Sequence, residues 1–159
     1  MYAISLGFNK AVGRIEKLMK NGHQSEALVT SVFTFEKLLR RSLRCCAISR
    51  GFTSEHANSL FDRMGFMQLK DAWPCFERDH RPLPQFVGKN WQHLPRAVTM
   101  RNKLVHGERV YNLTECRKTA KIVLRATKNF RKRLISDLDI DGWDRLPVRR
   151  KSALGWLRS

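Results

Sequence analysis

Within 101-RNKLVHGERVY-111, an arginine and a histidine stand with four residues between them, directly ahead of a glycine. Imidazole is the side chain that takes and gives protons near neutrality, and guanidinium offers a planar fork of donors to a phosphate. These are the groups that metal-free RNA cleavage needs. A base must take the proton from the 2′-OH, an acid must protonate the leaving 5′-oxygen, and a fixed cation must stabilise charge developing on phosphorus. Arg101 and His106 are therefore the candidate catalytic pair. One chain supplies one such pair, and two chains related by a twofold axis supply two, so the complete site is expected only in a homodimer. The competing reading is an ordinary charged helix end, where unpaired carbonyls and the negative end of the dipole favour a cation.

The rest of the composition points the same way. The 159-residue chain carries 31 Lys and Arg against 14 Asp and Glu, a formal net charge of +17. Self-repulsion at that level disfavours the compact state, and a polyanionic partner relieves it. A basic surface kept for solubility, or one that docks on an acidic protein, has the same composition. The basic side chains that could meet an RNA backbone are Arg40, Arg41 and Arg44 on one segment and Lys118, Lys121, Arg125, Lys128 and Lys132 on another. The second group steps by three and four residues, which makes one stripe of a helix.

Four cysteines, Cys45, Cys46, Cys75 and Cys116, form a vicinal pair and two singles, unlike a disulfide framework. Cys75 and His80 are one pair of potential ligands, too few for a zinc site. No metal and no cofactor are expected. No apolar run approaches the ~18 residues of a membrane span, and the first twenty residues are too mixed in charge for a secretory signal. The expectation is a cytoplasmic chain with no membrane partner.

The segments that must carry these residues are helical. Residues 9–20 place Val12, Ile15, Leu18 and Met19 on one side and stop at 21-NG-22. Residues 24–51 step Leu28, Val32, Phe35, Leu39, Leu43 and Cys46 by three and four, a buried stripe with Arg40, Arg41 and Arg44 largely off it. A short helix is expected at 54–65 with Ser54 as N-cap. The prolines of 72-AWPCFERDHRPLPQFVGKN-90 predict irregular chain or short helical turns, an insertion over about 66–92. A helix from about Trp91 to His106, with Pro95 near its start, carries Leu94, Val98, Met100, Leu104 and Val105. The last helix, 113–138, sets Ala120, Val123, Thr127, Phe130 and Leu134 against the basic stripe. On a helix Asn102 and His106 share a face one turn apart, and the Arg101 side chain can swing towards it. The pattern predicts an all-α, up-and-down helical bundle of four to five helices. It would form a single domain over 1–140, followed by a basic tail over 141–159 that contains Trp143 and Trp156.

The run 100-MRNKLVHGERVY-111 resembles the signature of the HEPN superfamily: Arg, a polar residue, a short spacer, His, then commonly Gly. The segment 31-SVFTFEKLLRRSL-43 is similar to the helix of that superfamily that carries an acidic or polar residue facing the cleft. The resemblance spans roughly residues 24–136. It implies a bundle that dimerises through the motif-bearing helices, and a metal-independent endoribonuclease of toxin–antitoxin, abortive-infection or CRISPR-associated systems. It makes Arg101 and His106 the catalytic pair, Asn102 the polar residue that orients them or contacts phosphate, and Glu36 the acidic residue that holds Arg101 or His106. Glu36 also stands four residues before Arg40, the spacing of a surface ion pair. HEPN toxins partnered with minimal nucleotidyltransferases carry a tyrosine two residues after the histidine, where this chain has Glu108; Tyr111 comes five residues after His106.

Two functions follow as expectations. The first is a HEPN-type ribonuclease with RNA as substrate, working as a homodimer beside an antitoxin or another defence-complex protein. The alternative is a non-catalytic basic helical module that binds RNA, a nucleotide or an acidic protein partner.

Overall fold

A computed structural model describes residues 6–155, which leaves Trp156 outside the described residues. The described residues form helices joined by turns and irregular segments, with no strand. Its elements are α1 (Phe8–Lys20), α2 (Gln24–Ser49), α3 (Ser54–Phe61), α4 (Phe66–Phe76), α5 (Leu83–Val87), a 3-10 segment (Gly88–His93), α6 (Leu94–Val105) and α7 (Leu113–Leu138). The all-α expectation is met. No helix among the described residues is long and apolar enough to cross a membrane. Internal contacts divide the chain into two units, with the divisions inside α2, α5 and α7: residues 6–35 with Val87–Asn129, and Glu36–Phe86 with residues 130–155.

The first unit contains α1, α6 and the N-terminal parts of α2 and α7. Its core follows the helical periods: Ile15 on α1, Leu28 and Val32 on α2, Ala97 and Met100 on α6, and Ala120 and Val123 on α7 are all buried. Polar ties connect neighbours. Gln24 Nε2 donates to Met19 O at 2.9 Å, Ser25 Oγ lies 3.9 Å from Cys116 Sγ, and Thr119 Oγ1 lies 3.8 Å from Met100 Sδ.

α6 begins three residues later than the sequence predicts, because residues 88–93 take the tighter 3-10 form and Pro95 occupies the first turn. Its end is set by glycine. Gly107 has φ of 67°, a left-handed conformation that suits a residue without Cβ. Gly107 N donates to Leu104 O at 3.3 Å and Glu108 N to Lys103 O at 2.9 Å, the paired bonds of a Schellman ending.

The second unit contains the C-terminal part of α2, α3, α4, most of α5, the end of α7 and the chain after it. The expected insertion of irregular chain or short helical turns has a regular first part, and short turns follow at Leu83–Val87 and Gly88–His93. Phe66–Phe76 is an eleven-residue helix with Pro74 inside it. Phe66, Leu69 and Trp73 are buried on one face of α4, and Pro74 stands only two residues before the helix ends. Burial of that face outweighs the donor that the proline lacks. Trp73 lies edge-on to Phe86 (5.3 Å) and to Phe130 (5.6 Å), and Phe76 to Phe61 (5.1 Å).

The N-cap of α3 is corrected. Thr53 Oγ1 accepts from His56 N at 3.1 Å, because Ser54 Oγ is already engaged by Arg149 N at 2.8 Å. That bond belongs to a row sewing the basic tail to the unit: Ser54 N donates to Arg149 O, and Ala153 N donates to Gly51 O, both at 2.9 Å. A Cβ on Gly51 would stand 2.8 Å from Ala153 C, so the approach requires glycine. Trp143 is buried, with Lys37 Nζ 4.6 Å above its ring.

Candidate functional site

The end of α6 holds Arg101, Asn102 and His106. Arg101 is only 7% exposed, an unusual place for a guanidinium. Its Nε donates to Asn102 Oδ1 at 2.7 Å, and its Cζ lies 4.7 Å from the ring centroid of Phe33 on α2. An aromatic face attracts a partly desolvated cation, so ring and amide together fix the plane of the fork. His106 is the C-cap residue of α6, exposed, with its backbone N–H donating to Asn102 O at 3.0 Å. The Schellman ending thus presents the imidazole to solvent one turn beyond Asn102. The structure brings Arg101 and Asn102 into direct contact and places His106 on the next turn of the same helix.

Phe33 is a feature that the sequence reading missed. It is 51% exposed beside a buried guanidinium, in the same unit as exposed Val105 and Leu113. Its signal was present: an aromatic one residue past Val32, off the apolar stripe of α2. Glu36, the expected acidic partner, opens the second unit's share of α2 and is 8% exposed.

Lys118, Lys121, Arg125 and Lys128 are exposed along α7 in the first unit, and Lys132 is exposed on the stretch of α7 in the second. Lys128 Nζ is 3.2 Å from Glu16 Oε1 of α1. The described residues of the first unit carry fourteen Lys and Arg against four Asp and Glu; those of the second carry sixteen against ten. The positive excess is therefore larger in the unit that bears the Arg–His motif. An open cleft of about 430 Å³ lies beside Lys118, lined also by His93, Asn112, Thr114 and Glu115, whose carboxylate accepts from Arg96.

Arg40, Arg41 and Arg44 have work inside the second unit. Arg40 donates to Phe61 O at 3.1 Å and to Met64 O at 2.8 Å. Arg41 donates to Gly142 O at 2.8 Å and to Trp143 O at 2.7 Å, and Arg44 Nη2 pairs with Asp62 Oδ1 at 2.5 Å. Each guanidinium straps α2 to a neighbouring segment. Burial, reinforced by the nearby Arg44 charge, moves the Arg41 pKa down from its ordinary value.

Cys75 and His80 are each engaged with local backbone: His80 Nδ1 lies 2.8 Å from Pro74 O, and Cys75 Sγ lies 4.0 Å from Asp71 O. Comparison with protein-family models, with curated proteins and with solved structures returns no match.

Proposed function

We propose that the chain is a metal-independent endoribonuclease of HEPN type that cleaves RNA by attack of a 2′-OH on the adjacent phosphate. The observation that carries this reading is the end of α6, where a guanidinium fixed by Asn102 and Phe33 precedes an exposed imidazole. A fixed cation stabilises phosphorane charge without reorganising during the reaction, and an exposed imidazole is free to exchange protons with substrate. In this reading His106 moves the proton and Arg101 holds the phosphate. A second chain related by a twofold axis adds the other acid–base group, so the working enzyme is a homodimer and an up-and-down HEPN bundle. Glu36 would steady the pair, and the exposed lysines and arginine of α7 would draw in the RNA backbone. A cytoplasmic toxin–antitoxin or phage-defence role, with a protein that restrains or activates the nuclease, follows from the same resemblance.

The test is an RNA substrate beside its 2′-deoxy analogue. The ribose form should be cut to a 2′,3′-cyclic phosphate and the deoxy form should resist. Equal cutting of both removes the 2′-OH from the mechanism.

A second reading has its own observation. Arg101 is buried and engaged with its neighbours, as an arginine kept for structure would be. In that reading the chain is a basic helical module that binds RNA, a nucleotide or an acidic protein without cutting. His106→Ala then leaves RNA binding unchanged, and the parent chain shows no cleavage to lose.

A further inference from the structure

A cavity of about 260 Å³ lies wholly within the second unit, between the last turn of α2, the end of α4 and the residues that close α7. Cys46, Phe76, Leu138 and Ile140 give it an apolar wall. Its charged lining residues are Arg50 and Arg78.

Both are held mainly by neutral acceptors. Arg50 Nε donates to Phe76 O at 2.9 Å and its Nη2 to Glu77 O at 2.8 Å. Arg78 Nη2 donates to Asp137 O at 3.2 Å, with Asp79 Oδ2 3.6 Å from its Nε. Backbone carbonyls fix the position of a guanidinium without cancelling its charge. Both arginines are exposed on the open side of the cavity, and the hydrocarbon wall strengthens their attraction for an anion on the side that it covers. The lining therefore matches a ligand with a negative head and an apolar body.

The remaining features narrow the class. Ser49 supplies the hydroxyl of the lining, and it already donates to Cys45 O at 3.0 Å. A nucleobase needs donors and acceptors along its edge, whereas the charged side chains of this lining, Arg50 and Arg78, offer donors only, which suits an anionic head. A neighbouring cleft of about 550 Å³ shares Ser49 and Ile140 with the cavity and is lined by half-exposed Ile135 and Leu146. Asp139, Asp141 and Arg145 also line that cleft, so the apolar wall for a ligand body is the one within the cavity itself. Burial pushes the Cys46 thiol up to about 12, so at neutral pH it is a packing group and not a nucleophile.

We propose that this cavity binds a small carboxylate with an alkyl body, of the medium-chain fatty acid class. The head sits on Arg50 and Arg78, and the chain lies against Cys46, Phe76, Leu138 and Ile140. The site is independent of the nuclease reading.

Isothermal titration of the full chain with octanoate tests it, beside octanol, octylammonium and acetate at equal ionic strength. Octanoate should saturate at one site per chain, and each comparator should bind at least about tenfold more weakly, since neither head nor chain alone fills the site. Arg50 also holds the end of α4, so the variants are Arg78→Gln, expected to weaken octanoate about tenfold, and Leu138→Trp, expected to block the cavity. Circular dichroism of both should match the parent. Octanol binding as tightly as octanoate would reduce the site to a greasy patch, and acetate doing so would reduce it to general attraction by a basic chain. Either result overturns the proposal, as does failure of octanoate to saturate or unchanged binding in Leu138→Trp.

Discussion

Glu77 carries a fully buried carboxylate just after α4. Burial pushes its pKa up, but bonds from Arg81 N (2.6 Å), the Arg81 guanidinium (3.1 Å) and Asp79 N (3.1 Å) outweigh that effect and hold it below the ordinary value. Asp141 behaves alike, with burial outweighed by bonds from Asp144 N, Trp143 N and Arg131. A carboxylate lowered in the folded state contributes stability above its unfolded value, near ~4, and loses it as pH falls through that value towards the folded one. Urea midpoints should therefore be level above about pH 5 and drop steeply below about pH 4. Glu77→Gln should cost about 2–3 kcal/mol at neutral pH and flatten part of the acid drop; a variant as stable as the parent would show that the carboxylate does not hold its loop. The contrast with Arg101 bears on legibility. The Arg–His spacing stands out in the sequence because few residue types perform acid–base and phosphate chemistry, and its role rests on the proposed function. Of the groups around Arg101, the adjacent Asn102 was expected, but the Phe33 ring was not, because it lies some seventy residues away and only folding brings it under the guanidinium.

Period and punctuation decide the elements. α1, α2 and α7 match their expected limits to within a residue or two, since each repeats an apolar stripe by three and four and two of them stop on Asn–Gly or Gly. α4 was obscured by Pro74, although Phe66, Leu69, Trp73 and Phe76 already lay on one helical face. A proline near a helix end costs less than one in its middle, and a large buried face decides the matter. Trp73 is the centre of that face, with no exposed surface and with its indole N–H unpartnered among the described residues. Trp73→Ala should lose about 3–5 kcal/mol in urea unfolding through the cavity it leaves. Trp73→Phe should lose clearly less, because it keeps the ring contacts and removes the orphaned donor. Equal losses in the two variants would mean that the indole N–H is satisfied by water and that ring volume does not decide packing there.

Charge is the property that belongs to the whole chain. At +17, the attraction to RNA that the nuclease reading requires is electrostatic first, and each phosphate neutralised on a single strand contributes about −0.7 to the slope of log K against log salt. Replacing Lys118, Lys121, Arg125 and Lys128 with Gln should lower that slope by about three while leaving the helical signal intact. An unchanged slope would place the RNA elsewhere. Composition points to a polyanionic partner but not to the arginines that would face it: Arg40, Arg41 and Arg44, expected to meet an RNA backbone, each hold a segment of the second unit. The nuclease reading itself is most directly tested by incubating labelled single-stranded RNA in EDTA with the parent chain and with His106→Ala. Cleavage by the parent and none by the variant, with both folded and both binding RNA, is the result expected. Cleavage retained in His106→Ala would contradict the assignment of the imidazole at the end of α6 as the group that moves the proton.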